Sequence, residues 1–145
     1  MGAPIVHWEI NTRDPNRVLE FYRSLFGWQI SMINEINYGM VKTGSKRGIG
    51  GGIGQTEGED PNLVTFYVEV DDPQQALDKA ISMGAGVVVP VTEIPNMVTF
   101  AQFKDPDGNI IGLIKSVKQP STRRVKTGKK GRKKAPTAKR KRRAR

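Results

Sequence analysis

Two stretches of the chain follow one pattern: residues 6–30, "VHWEINTRDPNRVLEFYRSLFGWQI", and residues 64–88, "VTFYVEVDDPQQALDKAISMGAGVV". With an offset of 58 positions, Asp14 aligns with Asp72, and a proline follows each of them. Internal similarity at a fixed spacing indicates two copies of one supersecondary unit. The duplication therefore decides the fold.

Each copy predicts a strand, a helix and three further strands. Aspartate before proline is typical of a helix start, because the Asp side chain caps free backbone N–H groups and proline suits the first helical position. Gly27 and Gly84 are expected to end the two helices. The sequence "DPDG" at 105–108 suits a tight turn before the last strand. The expected strands are about 4–11, 28–33, 37–42 and 48–54 in the first unit, and 62–70, 86–92, 97–104 and 109–116 in the second.

Each helix is expected to pack one face on a sheet. Apolar residues recur three or four positions apart, which is the spacing of a single helix face. The predicted core positions are Val18, Phe21, Tyr22 and Leu25 in the first helix, and Ala76, Leu77, Ala80 and Ile81 in the second. The predicted fold is α+β, with βαβββ units at about 4–56 and 62–116 in one domain spanning 1–116.

The charge of the chain is divided between two parts. Residues 1–114 carry eight Lys and Arg against all fourteen Asp and Glu, which leaves a net charge of −6. Residues 115–145 carry the other sixteen basic residues and no acidic one. The chain is thus an acidic body followed by a cationic tail, residues 117–145, and the two are interpreted separately.

The tail has no aromatic residue and few apolar ones, so we predict that it is disordered in isolation. Its dense Lys and Arg favour binding to the phosphates of DNA or RNA, with a steep dependence on salt. The alternative is a solubilising tail without a dedicated partner. The expected phosphate-binding residues are Arg123, Arg124, Lys129, Lys130, Arg132, Lys133, Lys134, Lys139, Arg140, Lys141, Arg142, Arg143 and Arg145.

Composition also excludes some classes of site and location. The chain has no cysteine, so a disulfide or a thiolate metal site is excluded. No apolar run reaches the length of a membrane span, and no N-terminal secretion signal is visible, so we expect no membrane partner. The expected location is cytoplasmic, and the tail makes association with the nucleoid a second hypothesis.

The duplicated unit, "DPNRVLEFYRSLFGW" at 14–28 and "DPDGNIIGL" at 105–113 resemble the vicinal oxygen chelate superfamily, which includes glyoxalases, bleomycin resistance proteins and extradiol dioxygenases. The resemblance covers roughly residues 4–116 and implies a glyoxalase-like domain. It implies that the two units form an incomplete barrel whose sheet cups a ligand, and that the protein is a homodimer. Function varies widely on this fold, so the activity has to come from the site.

Metal-dependent members of that family place four ligands in the cup. The resemblance puts these positions on His7, Gly52, Thr65 and Gly112, of which only His7 carries a good ligand. Divalent metal sites of this kind need at least three protein ligands. We therefore predict no metal and no other cofactor.

Alternation along the strands predicts a polar cup. His7 and Glu9 share one face of the first strand, and Thr65 and Tyr67 share the matching face of the other. The opposite face of the first strand, with Val6, Trp8 and Ile10, is expected to lie on the helix side. The expected pocket is His7, Glu9, Trp28, Tyr38, Met40, Gly52, Thr65, Tyr67, Gln102 and Gly112. The two glycines are expected to give the cup extra volume for an organic molecule.

His7 and Glu9 are the candidate catalytic residues. A nearby carboxylate is expected to raise the pKa of the imidazole and to suit it to act as a general base. The alternative is a hydrogen-bonded pair with a structural role. The glycine run "RGIGGGIG" at 47–54 lacks the spacing and the following helix of a nucleotide-binding loop.

The leading hypothesis is a metal-independent protein of the glyoxalase/bleomycin resistance type that binds a small organic ligand and has a nucleic-acid-associating tail. The first alternative is an enzyme, a lyase, isomerase or dioxygenase-like protein, that uses His7 and Glu9 with or without a weakly held metal. The second is a DNA- or RNA-associated protein whose body only dimerises. The residues alone do not decide whether the chain is an enzyme.

Overall fold

The computed structural model describes residues 1–116, so the predicted tail lies outside the described residues. The elements follow the βαβββ order twice, as predicted. The first unit contains β1 (Ile5–Thr12), α1 (Pro15–Phe26), β2 (Gln29–Ile33), a 3₁₀ turn (Asn34–Ile36), β3 (Tyr38–Lys42) and β4 (Gly51–Gln55). The second contains β5 (Leu63–Glu69), α2 (Pro73–Ser82), β6 (Gly86–Ile94), β7 (Val98–Lys104) and β8 (Ile110–Ser116).

Both helices begin at the predicted aspartates. The Asp14 side chain accepts a hydrogen bond from the backbone N–H of Arg17 at 3.1 Å, and Asp72 accepts one from Gln75 at 3.0 Å. Each proline then occupies the first turn of its helix, where its missing N–H is not needed. Gly27 ends α1 in the left-handed conformation with φ 67°, which a residue without Cβ adopts readily.

The eight strands form one open sheet in the order β2-β3-β4-β1-β5-β8-β7-β6. The two units meet where β1 pairs antiparallel with β5. On either side of this seam the registers correspond: Glu9 lies opposite Gly52 on β4, and Tyr67 lies opposite Gly112 on β8. The two glycines that the resemblance places at metal-ligand positions therefore occupy equivalent places in the two units.

Each unit has its own small core between its helix and the sheet. Leu19 is 4% exposed and packs with Val41 and Ile53, while Leu77 packs with Ala101 and Leu113. The prediction for the helix cores was partly wrong, because Phe21 and Leu25 of α1 are more than half exposed and Ile81 of α2 is also exposed. A short helix on a curved sheet buries a narrow stripe, here Pro15 and Leu19, and leaves the flanking positions in solvent.

The two faces of β1 divide as predicted from Trp8 onward. Trp8 and Ile10 pack on the helix side, whereas His7 and Glu9 face the concave side. Val6, predicted on the helix side, lines the concave side, because the pairing of β1 with β5 shifts register between Ile5 and His7. Within residues 1–116 no helix is long and apolar enough to cross a membrane.

Candidate functional site: a cup floored by a hydrogen-bonded carboxylate

The concave face of the sheet encloses an open cup of about 1250 Å³. Its walls come from both units and are largely apolar, with Ile33, Ile36 and Met40 from the first and Val87, Ile94 and Val98 from the second. Polar side chains from β1, β3, β5 and β7 form the floor, and Glu57, Asp60 and Lys104 also line the cup. Apolar walls around a few convergent polar groups are typical of a ligand site.

Glu9 is the centre of the floor. Its Oε1 accepts hydrogen bonds from Asn11 Nδ2 at 2.7 Å and from the Tyr67 hydroxyl at 3.1 Å. Its Oε2 accepts one from the Tyr38 hydroxyl at 2.8 Å. Three donors thus converge on one carboxylate from β1, β3 and β5, and hydrogen bonds to a charged acceptor are stronger than neutral ones.

Two further side chains extend this network. Gln102 Nε2 donates to the Tyr67 hydroxyl oxygen at 2.7 Å. His7 Nε2 lies 2.8 Å from the Tyr38 hydroxyl. Because the single proton of Tyr38 is donated to Glu9, the His7 contact requires that Nε2 carries the proton and donates it. Every donor in the chain of contacts therefore points toward Glu9, and Nδ1 is the His7 nitrogen with a lone pair.

Burial governs the titration of these groups. Desolvation lowers the pKa of His7 below its usual value, and this effect exceeds the opposite effect of the Glu9 charge. The prediction that Glu9 would raise this pKa was therefore wrong in its outcome, because the ring is half-buried. The pKa values of Tyr38 and Tyr67 are raised, first by burial and then by the adjacent Glu9 charge. At neutral pH the imidazole and both phenols are uncharged.

The two glycines at the family's ligand positions lie beneath the two tyrosine rings. A Cβ placed on Gly52 would lie 1.9 Å from the Tyr38 hydroxyl, and one placed on Gly112 would lie 2.2 Å from Cδ1 of Tyr67. Real Cβ atoms do not approach other heavy atoms so closely. The expected extra volume is therefore absent, because the tyrosines fill the space that each missing side chain leaves.

Six of the ten predicted pocket residues line the cup: His7, Glu9, Tyr38, Met40, Tyr67 and Gln102. Trp28 was placed wrongly, because it packs on the helix side with its ring 5.1 Å from that of Trp8. Thr65 lies opposite Glu9 on β5 but does not line the cup, since it is buried and its hydroxyl donates to the backbone oxygen of Ile110 at 2.6 Å. Gly52 and Gly112 do not line the cup, because the rings of Tyr38 and Tyr67 cover them.

Sequence reasoning missed two residues of the floor. Asn11 follows Glu9 by two positions, so strand alternation would have placed it on the same face. Phe100 lies on β7 with its ring 6.5 Å from that of Tyr67, in an edge-to-face arrangement. It reads as an ordinary core aromatic in the sequence, and only the pairing of β7 with β8 brings it to the cup.

The residues at the four family positions do not fit a metal. Within residues 1–116, no group of three or more His, Asp or Glu side chains is placed to hold one. The hydroxyl of Thr65 is engaged with Ile110, and a ligating side chain at Gly52 or Gly112 would collide with a tyrosine. The carboxylate of Glu9 already accepts three hydrogen bonds. The described residues of the cup therefore do not supply the three ligands that a divalent metal needs.

Comparison with known proteins gives relatives over the same region. Residues 4–113 match the family model described as the Glyoxalase/Bleomycin resistance protein/Dioxygenase superfamily. The protein named "Putative glyoxylase CFP32" from Mycobacterium bovis is 30% identical over 129 residues, which is 82% of this chain and 49% of that protein. The chain thus spans about half the length of this curated relative.

Solved structures show the same fold. Methylmalonyl-CoA epimerase from Mycobacterium tuberculosis superposes with a TM-score of 0.57 at 11% identity, over 78% of this chain and 87% of that one. A variant of the Streptomyces coelicolor epimerase, solved with 2-nitronate-propionyl-CoA, gives 0.58 at 17% identity, over 80% and 96%. The match to the family model covers most of the chain, in agreement with the duplicated unit and the sheet order. The chain belongs to the Glyoxalase/Bleomycin resistance protein/Dioxygenase superfamily.

Proposed function

We propose that the protein binds a small organic ligand in the cup without a metal. The observation that carries this proposal is the floor itself: Tyr38 and Tyr67 cover the glycines at the metal-ligand positions and direct their hydroxyls to Glu9. A satisfied polar network beneath apolar walls is rigid, so it is ready for a ligand without reorganisation. The cavity of about 1250 Å³ is ample for an organic molecule.

An enzyme that uses His7 remains the second candidate, and one observation favours it. His7 Nδ1 carries a lone pair, and no described residue donates to it. A lowered pKa keeps this nitrogen unprotonated at neutral pH, as a general base requires. Glu9 suits the same role less well, because protonation would remove the negative charge that its three hydrogen-bond donors stabilise. Turnover that His7→Gln abolishes would favour this candidate.

Filling the cup tests the binding proposal. Met97 lines the cup and is 37% exposed, so Met97→Trp is expected to narrow the cavity without burying a new polar group. In a thermal-shift screen of neutral, cationic and anionic aromatic compounds, ligands that raise the Tm of the full chain are expected to lose at least about tenfold in affinity in this variant. The measurement is titration calorimetry on each hit, with excess chelator present.

The matched control is Met83→Trp, at a methionine that is 71% exposed and does not line the cup. It adds the same side chain elsewhere on the surface, so it should leave every affinity unchanged. Hits that bind both variants as well as they bind the natural chain would contradict the proposal.

For the tail we propose association with DNA or RNA through residues 117–145, in a cytoplasmic protein. This proposal is supported by the charge of residues 115–145, which contain sixteen basic residues and no acidic one. A high density of positive charge is sufficient for binding to the phosphate backbone. The homodimer implied by the family is also a proposal. Support comes from apolar side chains that α1 exposes to solvent, Phe21, Leu25 and Phe26, each more than half exposed.

A further inference from the structure

Most polar hydrogen atoms of the cup floor are already committed; the exceptions are the second N–H of the Asn11 amide and that of the Gln102 amide. The hydroxyls of Tyr38 and Tyr67 donate to Glu9, and His7 donates to Tyr38 through Nε2. A hydroxyl has one proton, so neither tyrosine has another to offer a ligand. A ligand that reaches the floor therefore meets few donors.

Acceptors on the same floor remain open. No described residue donates to His7 Nδ1 or to Gln102 Oε1, and Glu9 Oε2 accepts a single hydrogen bond although a carboxylate oxygen has two lone pairs. Among the described residues no buried side-chain nitrogen or oxygen lacks a partner, so the two unpartnered acceptors, His7 Nδ1 and Gln102 Oε1, are accessible to solvent or a ligand. The floor is thus matched to a group that donates several hydrogen bonds.

The charges that line the cup point the same way. Among residues 1–116, three carboxylates line it, Glu9 on the floor and Glu57 and Asp60 at the rim, against a single ammonium, that of Lys104. The neutral His7 adds no positive charge, because burial lowers its pKa. An anion entering the cup is therefore repelled on balance, and a cation is attracted.

Three aromatic residues line the cup, Tyr38, Tyr67 and Phe100. Tyr38 and Tyr67 donate to Glu9 from two sides, and Phe100 packs against Tyr67 at 6.5 Å between ring centroids. Ring faces attract cations, most strongly where water is excluded. The walls beyond are aliphatic and would hold an apolar body.

We propose that the cup selects an amphipathic organic cation, whose ammonium or amidinium group donates to Glu9, His7 and Gln102 while its apolar body lies between the two walls. This inference rests on the proposed function, since it names the class of molecule that the cup would bind. An acyl-CoA is therefore not the expected ligand class, because its phosphates are anionic.

Three probes of one shape test the inference: 1-naphthylmethylamine, 1-naphthalenemethanol and 1-naphthoate, a cation, a neutral alcohol and an anion at pH 7. Titration calorimetry on the full chain is expected to give affinity about tenfold higher for the amine than for the alcohol, and higher for the alcohol than for the acid. Each titration is repeated on Met97→Trp, and only affinity lost in that variant is assigned to the cup. Anion binding by the basic tail is thereby removed from the comparison.

A charge variant locates the preference. Glu9→Gln removes the central charge and is expected to reduce the preference of the amine over the alcohol to about twofold or less. Glu93→Gln is the matched control, because Glu93 is exposed on β6 and does not line the cup. If Glu9→Gln does not fold, the order of affinities of the three probes for the natural chain still tests the inference.

The outcomes distinguish the two proposals. Cup-dependent binding of the alcohol or the acid that equals or exceeds that of the amine would overturn the cation inference and leave small-molecule binding intact. Equal preference in the natural chain and Glu9→Gln would also overturn it. If no probe binds in a Met97→Trp-sensitive manner, the cation inference fails, and the wider screen decides the proposed function.

Discussion

Removal of residues 117–145 is expected to lower the affinity of the protein for duplex DNA or RNA by at least about a hundredfold at low salt. The remaining body has fourteen acidic side chains and few basic ones, so it repels a polyanion. Fluorescence anisotropy with a labelled duplex, titrated at several salt concentrations, measures the effect. If the tail contacts about eight phosphates, log K of the full chain should fall with log[salt] with a slope of roughly −7.

A full-length variant in which the thirteen predicted phosphate-binding Lys and Arg become Gln is the control for chain length. It should lose affinity as the deletion does, because the proposal depends on charge. Both variants should keep the affinity of any cup ligand, since no cup residue is changed. Equal nucleic-acid binding by residues 1–116 and the full chain would contradict the proposal and show that the body carries the interaction.

The second large effect is expected from one methyl group on the floor of the cup. Gly112→Ala is expected to lower the free energy of unfolding by about 2–4 kcal/mol. The new Cβ would lie 2.2 Å from Cδ1 and 2.6 Å from Cγ of Tyr67. Because the ring turns about the Cβ–Cγ bond, its rotation leaves Cγ in place and cannot clear the contact. The hydroxyl of the ring is also held by Glu9 and Gln102. Chemical denaturation of both proteins measures the difference.

A double-mutant cycle isolates this contact. In a Tyr67→Ala background the ring is gone, so adding Gly112→Ala should cost less than about 1 kcal/mol, which gives a coupling of about 2 kcal/mol or more. The same cycle with Gly52→Ala and Tyr38→Ala measures the coupling free energy of the equivalent contact in the first unit. Gly86→Ala is the control, because a Cβ there has open space and the strand should gain stability slightly. Equal costs in both backgrounds would show that the tyrosines do not cover the glycines.

The fold could be predicted because its signals are local and occur twice. Asp14 and Asp72 mark the two helix starts, and Gly27 marks the end of α1. Alternation from Trp8 onward then assigned the faces of β1 correctly. Burial of the helices was less predictable, because Phe21 and Leu25 have the right spacing but lie beyond the narrow stripe that the sheet covers.

The floor of the cup could be predicted only in part, because its contacts are distant in the sequence. The Tyr38 ring reaches across β4 to Glu9, and Gln102 reaches Tyr67 from β7. Neither pairing has a sequence signal. The sequence therefore did not show that Tyr38 and Tyr67 cover Gly52 and Gly112, and the glycines were expected to leave empty volume in the cup. The pKa of His7 also depends on competition between burial and the Glu9 charge, and the sequence shows only the charge.

The central claim, that the cup works without a metal, is tested most directly by elemental analysis of the full chain. Tag-free protein and His7→Ala are dialysed against Zn²⁺, Ni²⁺ or Fe²⁺ under anaerobic conditions, desalted and measured by mass spectrometry. We expect metal well below one equivalent per chain, and the same content in both proteins, because only His7 among the four family positions has a ligating side chain. One metal per chain in the natural protein, lost in His7→Ala, would contradict the account.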